Sequence, residues 1–186
     1  MTKVAIFASG SGTNAENIIR FFGANDEFSF LVITNKEDAF VLERAKNLNV
    51  PSCFFPKENF ATGEKILNFL ESNKVDFIVL AGFLLKIPEK IILRFPNKIV
   101  NIHPALLPKF GGRGMYGDRV HQAVKAAAET ETGITIHYVN EHYDEGNIIF
   151  QAKCPVVPSD TPDDIAHKVH QLEYEWFPKI IAQVVK

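Results

Sequence analysis

Apolar residues along this chain fall into two patterns, and the alternation between them predicts the architecture. Short, nearly unbroken apolar runs occupy 3–8 (Lys-Val-Ala-Ile-Phe-Ala), 28–34, 76–81 (Asp-Phe-Ile-Val-Leu-Ala) and 98–100. Runs of this length, closed by turn residues, read as strands buried on both faces of a parallel sheet. A shorter strand is expected at 52–55, and helical spacing at about 15–22, 39–48, 62–72 and 89–95. Further on the period changes. Residues 132–139 and 147–152 alternate apolar and polar, as half-buried strands do, with a single loop between them, so antiparallel pairing is expected there. Helices are predicted at 118–128 and 162–177, the second with Ile165, Ala166, Val169, Leu172 and Trp176 at helical spacing. Thr161 can cap that helix, Pro162 suits its first turn, and Asp163 and Asp164 complement its dipole. The whole reads as a single doubly wound α/β domain with a mostly parallel sheet and antiparallel pairing near its carboxyl-terminal end.

Composition narrows the partners. The chain has 186 residues, 46% hydrophobic and 23% charged, enough for one domain with a sizeable core. A net charge of −2 offers no basic footprint for nucleic acid. Cys53 and Cys154 are far apart and form no framework, and the amino terminus runs into a strand without a signal-peptide core. There is no apolar run long enough to span a membrane. A cytoplasmic protein, acting as a monomer or weak homodimer, is expected. His167 and His170 are three apart rather than four, with no other ligands clustered nearby, so no metal is expected.

The chemistry gathers where apolar runs end. Asn101-Ile102-His103-Pro104-Ala105-Leu106-Leu107-Pro108 closes one of them. Side chains alternate along a strand, so Asn101 and His103 share a face, and Pro104 stops the ladder just beyond. An amide donor and a titratable imidazole thus meet at a strand's carboxyl end, where open α/β sheets bind ligands. The first run empties into Ser9-Gly10-Ser11-Gly12-Thr13-Asn14 ahead of a helix. Such a turn either converges its N–H groups on an anion or is simply tight. It lacks the third spaced glycine of a dinucleotide fingerprint and the lysine of a Walker loop, so a single phosphate suits it better than NAD or ATP. Asn35 and Lys36 stand at another strand end. The loop 109–117 carries four glycines in its last seven residues, as a lid would, and its Lys109 and Arg113 either attract an anionic substrate or are plain solvated charge. The acidic loop 140–146 (Asn140, Glu141, His142, Tyr143, Asp144, Glu145, Gly146) is ordinary solvated surface unless Asp144 meets His103 across a cleft.

These segments together resemble the folate-dependent formyltransferases. Asn101-Ile102-His103-Pro104-Ala105-Leu106-Leu107-Pro108 is similar to that family's His-Pro-Ser-Leu-Leu-Pro signature, with Ala105 in place of serine. Gly12-Thr13-Asn14 is similar to the Gly-Ser-Asn with which glycinamide ribonucleotide transformylases hold the substrate phosphate, and Glu173 matches a residue contacting the ribonucleotide. Gly82-Phe83-Leu84-Leu85-Lys86-Ile87 resembles the segment that lines the pterin pocket, although Leu85 stands where arginine is common. An arginine usual early in the preceding helix is also missing, where Gly63 and Lys65 stand. Asp144 matches the family's essential carboxylate, and Glu145 replaces a glycine beside it.

The resemblance implies transfer of a formyl group from the co-substrate 10-formyltetrahydrofolate to the amine of glycinamide ribonucleotide in purine synthesis. A ribonucleotide half is implied at about 1–100 and a folate and catalytic half at about 80–186. Asn101, His103 and Asp144 are the implied catalytic residues, and Gly12, Thr13, Asn14 and Glu173 the ribonucleotide contacts. Leu84, Leu85, Lys86 and Ile87, with Asn101, Asn140, Glu141, His142, Tyr143 and Asp144, are the implied folate contacts, Leu84, Leu85 and Ile87 being equally readable as ordinary core. Formyl transfer generates an oxyanion and moves a proton between two nitrogens. Asn101 and a protonated His103 would donate to the oxyanion, and Asp144 would raise and hold the imidazolium. Formyltetrahydrofolate deformylase, which releases the group to water, and a silent nucleotide-binding module are the alternatives.

Overall fold

The computed structural model describes residues 1–23 and 25–185. In chain order the elements are β1 (Thr2–Phe7), α1 (Thr13–Phe22), β2 (Phe28–Thr34), α2 (Val41–Asn47), β3 (Ser52–Phe54), α3 (Asn59–Thr62) and α4 (Glu64–Ser72). They continue with β4 (Phe77–Leu80), α5 (Glu89–Arg94), β5 (Ile99–His103), α6 (Asp118–Ala126), β6 (Glu131–Tyr138), β7 (Ile148–Pro155) and α7 (Pro162–Val184). The strands form one sheet in the order β3-β2-β1-β4-β5-β6-β7. The first five pair in parallel, whereas β5–β6 and β6–β7 are antiparallel. This is the doubly wound sheet with a C-terminal hairpin that the change of period predicts.

Alternation along each strand feeds two cores. Val4 and Ile6 of β1 pack with residues of α1, α2, α6 and α7 on one face, among them Ile18, Val41, Val124 and Val169. Ala5 and Phe7 pack on the other with Phe60, Ile66, Leu70 and Ile91 of α3, α4 and α5. Successive connections leave β1 toward β2 and β3, then return to β4 on its opposite side, so the loops after β1 and β4 diverge and open a crevice.

Two of the differences between the helices and the sequence pattern have a clear physical cause. The helix expected over 62–72 is α4, which starts only after Gly63, and a separate short helix, α3, precedes it. Gly63 has φ +71°, and a Cβ there would lie 2.5 Å from Cβ of Pro88, so close packing of the next segment decides the break. The last helix, expected to end at Phe177, runs through Pro178 to Val184. Proline removes one helical hydrogen bond, but Phe177, Ile180 and Ile181 are buried beyond or beside it, and their packing carries the helix on. Among the described residues no helix is long and apolar enough to cross a membrane.

Candidate active site

The crevice holds a cavity of about 590 Å³, lined from the loops after β1, β4, β5 and β6 and from α7. At one end lies the turn 9–12. Gly12 adopts φ +74° at the start of α1, and a Cβ there would sit 2.3 Å from Cγ2 of Val41. No side chain caps α1. The turn is held from behind by α2: Val41 N–H donates to Gly10 O at 3.1 Å, and Arg44 Nε donates to Ser11 O at 2.8 Å. Arg44 also pairs with Glu16, whose carboxyl is held below its usual range by hydrogen bonds from Arg20 and Arg44. Ser9 ties three strand ends together, because its hydroxyl donates to Asn35 Oδ1 at 2.6 Å and accepts from Leu84 N–H at 2.9 Å. Lys36 lines the cavity beside it.

Asn14 and Glu173, 159 positions apart, meet here. Asn14 Nδ2 and His170 Nδ1 both donate to Glu173 Oε2, at 2.8 and 2.9 Å. The Glu173 hydrogen bond raises His170 above the ordinary imidazole value, against the opposing effect of burial. Asn14 Oδ1 and His121 Nδ1 are buried without a partner, and both residues line the cavity. An orphaned buried polar atom at a cavity wall is a place for a ligand hydrogen bond. Glu173, buried, is the hub of this polar wall.

In the middle, Asn101 and His103 point from the end of β5 into the cavity with Asp144 opposite. Asp144 Oδ2 lies 3.6 Å from His103 Nδ1, and Oδ1 lies 3.6 Å from His137 Nε2. His103 Nε2 donates to Phe110 O at 2.8 Å, and Gly112 N–H donates to Asp144 Oδ2 at 2.9 Å. His137 donates from Nδ1 to Tyr138 O at 2.8 Å, and its Nε2 lies 3.0 Å from Asn101 Nδ2, between that amide and Asp144. One amide proton of Asn101 remains for a ligand.

Electrostatics here reverse one expectation. Burial pushes His103 below the ordinary imidazole value, outweighing the Asp144 charge and the Phe110 carbonyl that pull it up. Burial thus favours the neutral form of His103 over that of an ordinary imidazole, the opposite direction to the one anticipated from its carboxylate neighbour. Burial also works against the Asp144 charge, but the His137 ring, the His103 ring and the Gly112 N–H together hold its carboxyl below the usual range.

At the far end, Leu84, Leu85, Lys86 and Ile87 line the cavity. Ile87 is core, Leu85 packs on it, and Leu84 is exposed at the rim. Asn140, His142 and Tyr143 line the opposite side, with Lys86 Nζ 5.9 Å from the Tyr143 ring centre. Glu141, between them, is exposed and sits 3.7 Å from the His142 ring, and its side chain is not part of the cavity lining. His137 and Ser9 were missed. His137 lies opposite Asn101 in the β5–β6 register, a neighbour that only the pairing reveals. The signal for Ser9 was faint, a hydroxyl at the first position after a buried strand.

A doubly wound sheet with a glycine turn, an Asn–His–Asp cluster and an apolar shelf around one crevice has the form of a group-transfer enzyme. The chain belongs to the formyl transferase family, whose model matches residues 2–181. It is 37% identical to a chloroplastic phosphoribosylglycinamide formyltransferase of Arabidopsis thaliana over 98% of this chain, and spans 65% of that protein's length. It is 39% identical to the phosphoribosylglycinamide formyltransferase of Bacillus subtilis, with 100% of this chain and 95% of that protein covered. Among solved structures, glycinamide ribonucleotide transformylase 1 of Geobacillus kaustophilus superposes with a TM-score of 0.90 at 33% identity, covering 100% of both chains.

Proposed function

We propose that this chain transfers the formyl group of 10-formyltetrahydrofolate to the amine of glycinamide ribonucleotide, as a phosphoribosylglycinamide formyltransferase of purine synthesis. The observation that carries this reading is the Asn101–His103–Asp144 centre lying in one cavity between the glycine turn and the apolar shelf. The ribonucleotide phosphate rests on Gly12, Thr13 and Asn14 at the start of α1, and Glu173 with Asn14 receives its sugar end. The folate lies along Leu84, Leu85, Lys86 and Ile87, facing Asn140, His142 and Tyr143. One domain thus carries a ribonucleotide half at about 1–100 and a folate and catalytic half at about 80–186. We place the enzyme in the cytoplasm as a monomer or weak homodimer, in keeping with its two unpaired cysteines.

The amine attacks the formyl carbon, and the carbonyl oxygen becomes an oxyanion. Asn101 donates its free amide proton there, an interaction stronger in the transition state than in the bound substrate. Neutral His103 accepts the proton of the attacking nitrogen on Nδ1, the nitrogen left bare by the Phe110 bond. The imidazolium so formed lies beside Asp144 and returns the proton to the departing folate nitrogen.

Incubation with 10-formyltetrahydrofolate should release tetrahydrofolate only when glycinamide ribonucleotide is added. Release to water without the ribonucleotide would instead mark a hydrolase, and no release with both would mark a silent module.

A further inference from the structure

We infer that Phe110–Gly112 is a positioning element for proton transfer: its Phe110 carbonyl fixes which nitrogen of His103 reacts, and its Gly112 N–H aims the Asp144 carboxylate. The inference rests on the formyl-transfer reading for the step it serves, but the geometry stands independently. A carbonyl only accepts, so the 2.8 Å contact to Phe110 O places a proton on His103 Nε2. A neutral ring carries one proton, and Nδ1 is then the bare base. At 3.6 Å from Asp144 Oδ2, Nδ1 is too far for a hydrogen bond and stays available to the cavity. That same Oδ2 accepts the Gly112 N–H at 2.9 Å. A proton arriving on Nδ1 therefore lands beside an oxygen whose place is set by the loop. It leaves by the same nitrogen for the departing amine, so no net proton is gained or lost.

The backbone is bent to supply these two groups. Phe110 has φ 56°, a left-handed conformation that a bulky residue seldom adopts, and Gly112 has φ 94°. Gly111 packs directly against the pair, since a Cβ there would lie 3.3 Å from Cβ of Asp144 and 2.5 Å from Cδ2 of Leu107. Behind, the strap is tied down by a closed network. Leu107 N–H donates to Thr135 Oγ1 at 2.9 Å, Thr135 donates to Ala105 O at 2.7 Å, and Gln151 Nε2 donates to Leu107 O at 3.1 Å. The glycines beyond, Gly114 and Gly117, make no such contact with the pair.

The test compares Gly112→Ala with Gly114→Ala in the intact enzyme. Both replace a glycine of positive φ, 94° and 88°, with nothing within 4 Å of the added Cβ, but only the first carries an Asp144 hydrogen bond. Gly112→Ala should lower kcat by roughly tenfold or more, the scale of one hydrogen bond to a charged group, with the KM for both substrates close to that of the parent enzyme. Gly114→Ala should lose much less in kcat. Nitrogen-15 NMR, with His103 assigned by its disappearance in His103→Ala, should show the proton on Nε2 in the parent enzyme and a mixed tautomer in Gly112→Ala. Equal kcat losses in the two variants, or a parent His103 protonated on Nδ1, would overturn the inference. The tautomer of the parent enzyme decides it even where Gly112→Ala does not fold. A parent enzyme inactive toward both substrates would remove the formyl-transfer reading and leave the tautomer result to judge the geometry.

Discussion

A histidine beside a carboxylate is commonly expected to be easier to charge, yet burial shifts His103 the other way, since it is 3% exposed and its carboxylate stands 3.6 Å away. Desolvation grows steeply as water is removed, whereas the attraction of a carboxylate beyond hydrogen-bond reach does not. A neutral base in the free enzyme suits a step that begins by taking a proton from an amine. The same attention to single atoms applies at Gly12. A valine there would combine a strained φ with a Cβ 2.3 Å from Val41, pushing the turn off α2. Gly12→Val should raise the KM for glycinamide ribonucleotide at least roughly tenfold, the equivalent of one lost charge-assisted hydrogen bond, with folate KM little changed; an unchanged ribonucleotide KM in steady-state kinetics would remove the turn from the site. The shared face of Asn101 and His103 was legible from residue order, because alternation is a local property. His137 was not, because its place beside Asn101 depends on the β5–β6 register.

At the scale of elements, apolar runs and the change of period gave strand number, direction and the final hairpin, since burial on two faces and on one leave different patterns. Boundaries were less legible wherever another segment intervened, as Pro88 does at Gly63 and as the core does beyond Pro178. The start of α7 was fully local. Thr161 accepts from Asp164 N–H at 3.2 Å while the Asp164 carboxylate receives Thr161 N–H at 2.8 Å, a reciprocal capping box. Because α7 carries Glu173 and His170 to the cavity, its cap bears on the site as well as on stability. Thr161→Ala should cost about 1 kcal/mol in denaturant unfolding, and a loss near zero would mean that packing alone positions the helix.

For the whole molecule, the sheet order is what makes a site of scattered residues. The turn after β1, the shelf after β4, the dyad histidine at the end of β5 and the carboxylate between β6 and β7 meet only because the strand order reverses at β1 and β4. No pattern within the sequence joins His103 to Asp144, and their pairing was an inference from resemblance and from where doubly wound sheets bind ligands. The account stands on those two residues working as one unit in formyl transfer. The most direct measurement is kcat for His103→Ala, Asp144→Asn and the double variant with 10-formyltetrahydrofolate and glycinamide ribonucleotide. Each single variant should lose roughly 100- to 10,000-fold, the range of positioned acid–base catalysis, and the double should lose little beyond the worse single, as partners in one step do. Losses that multiply in the double variant would contradict the account.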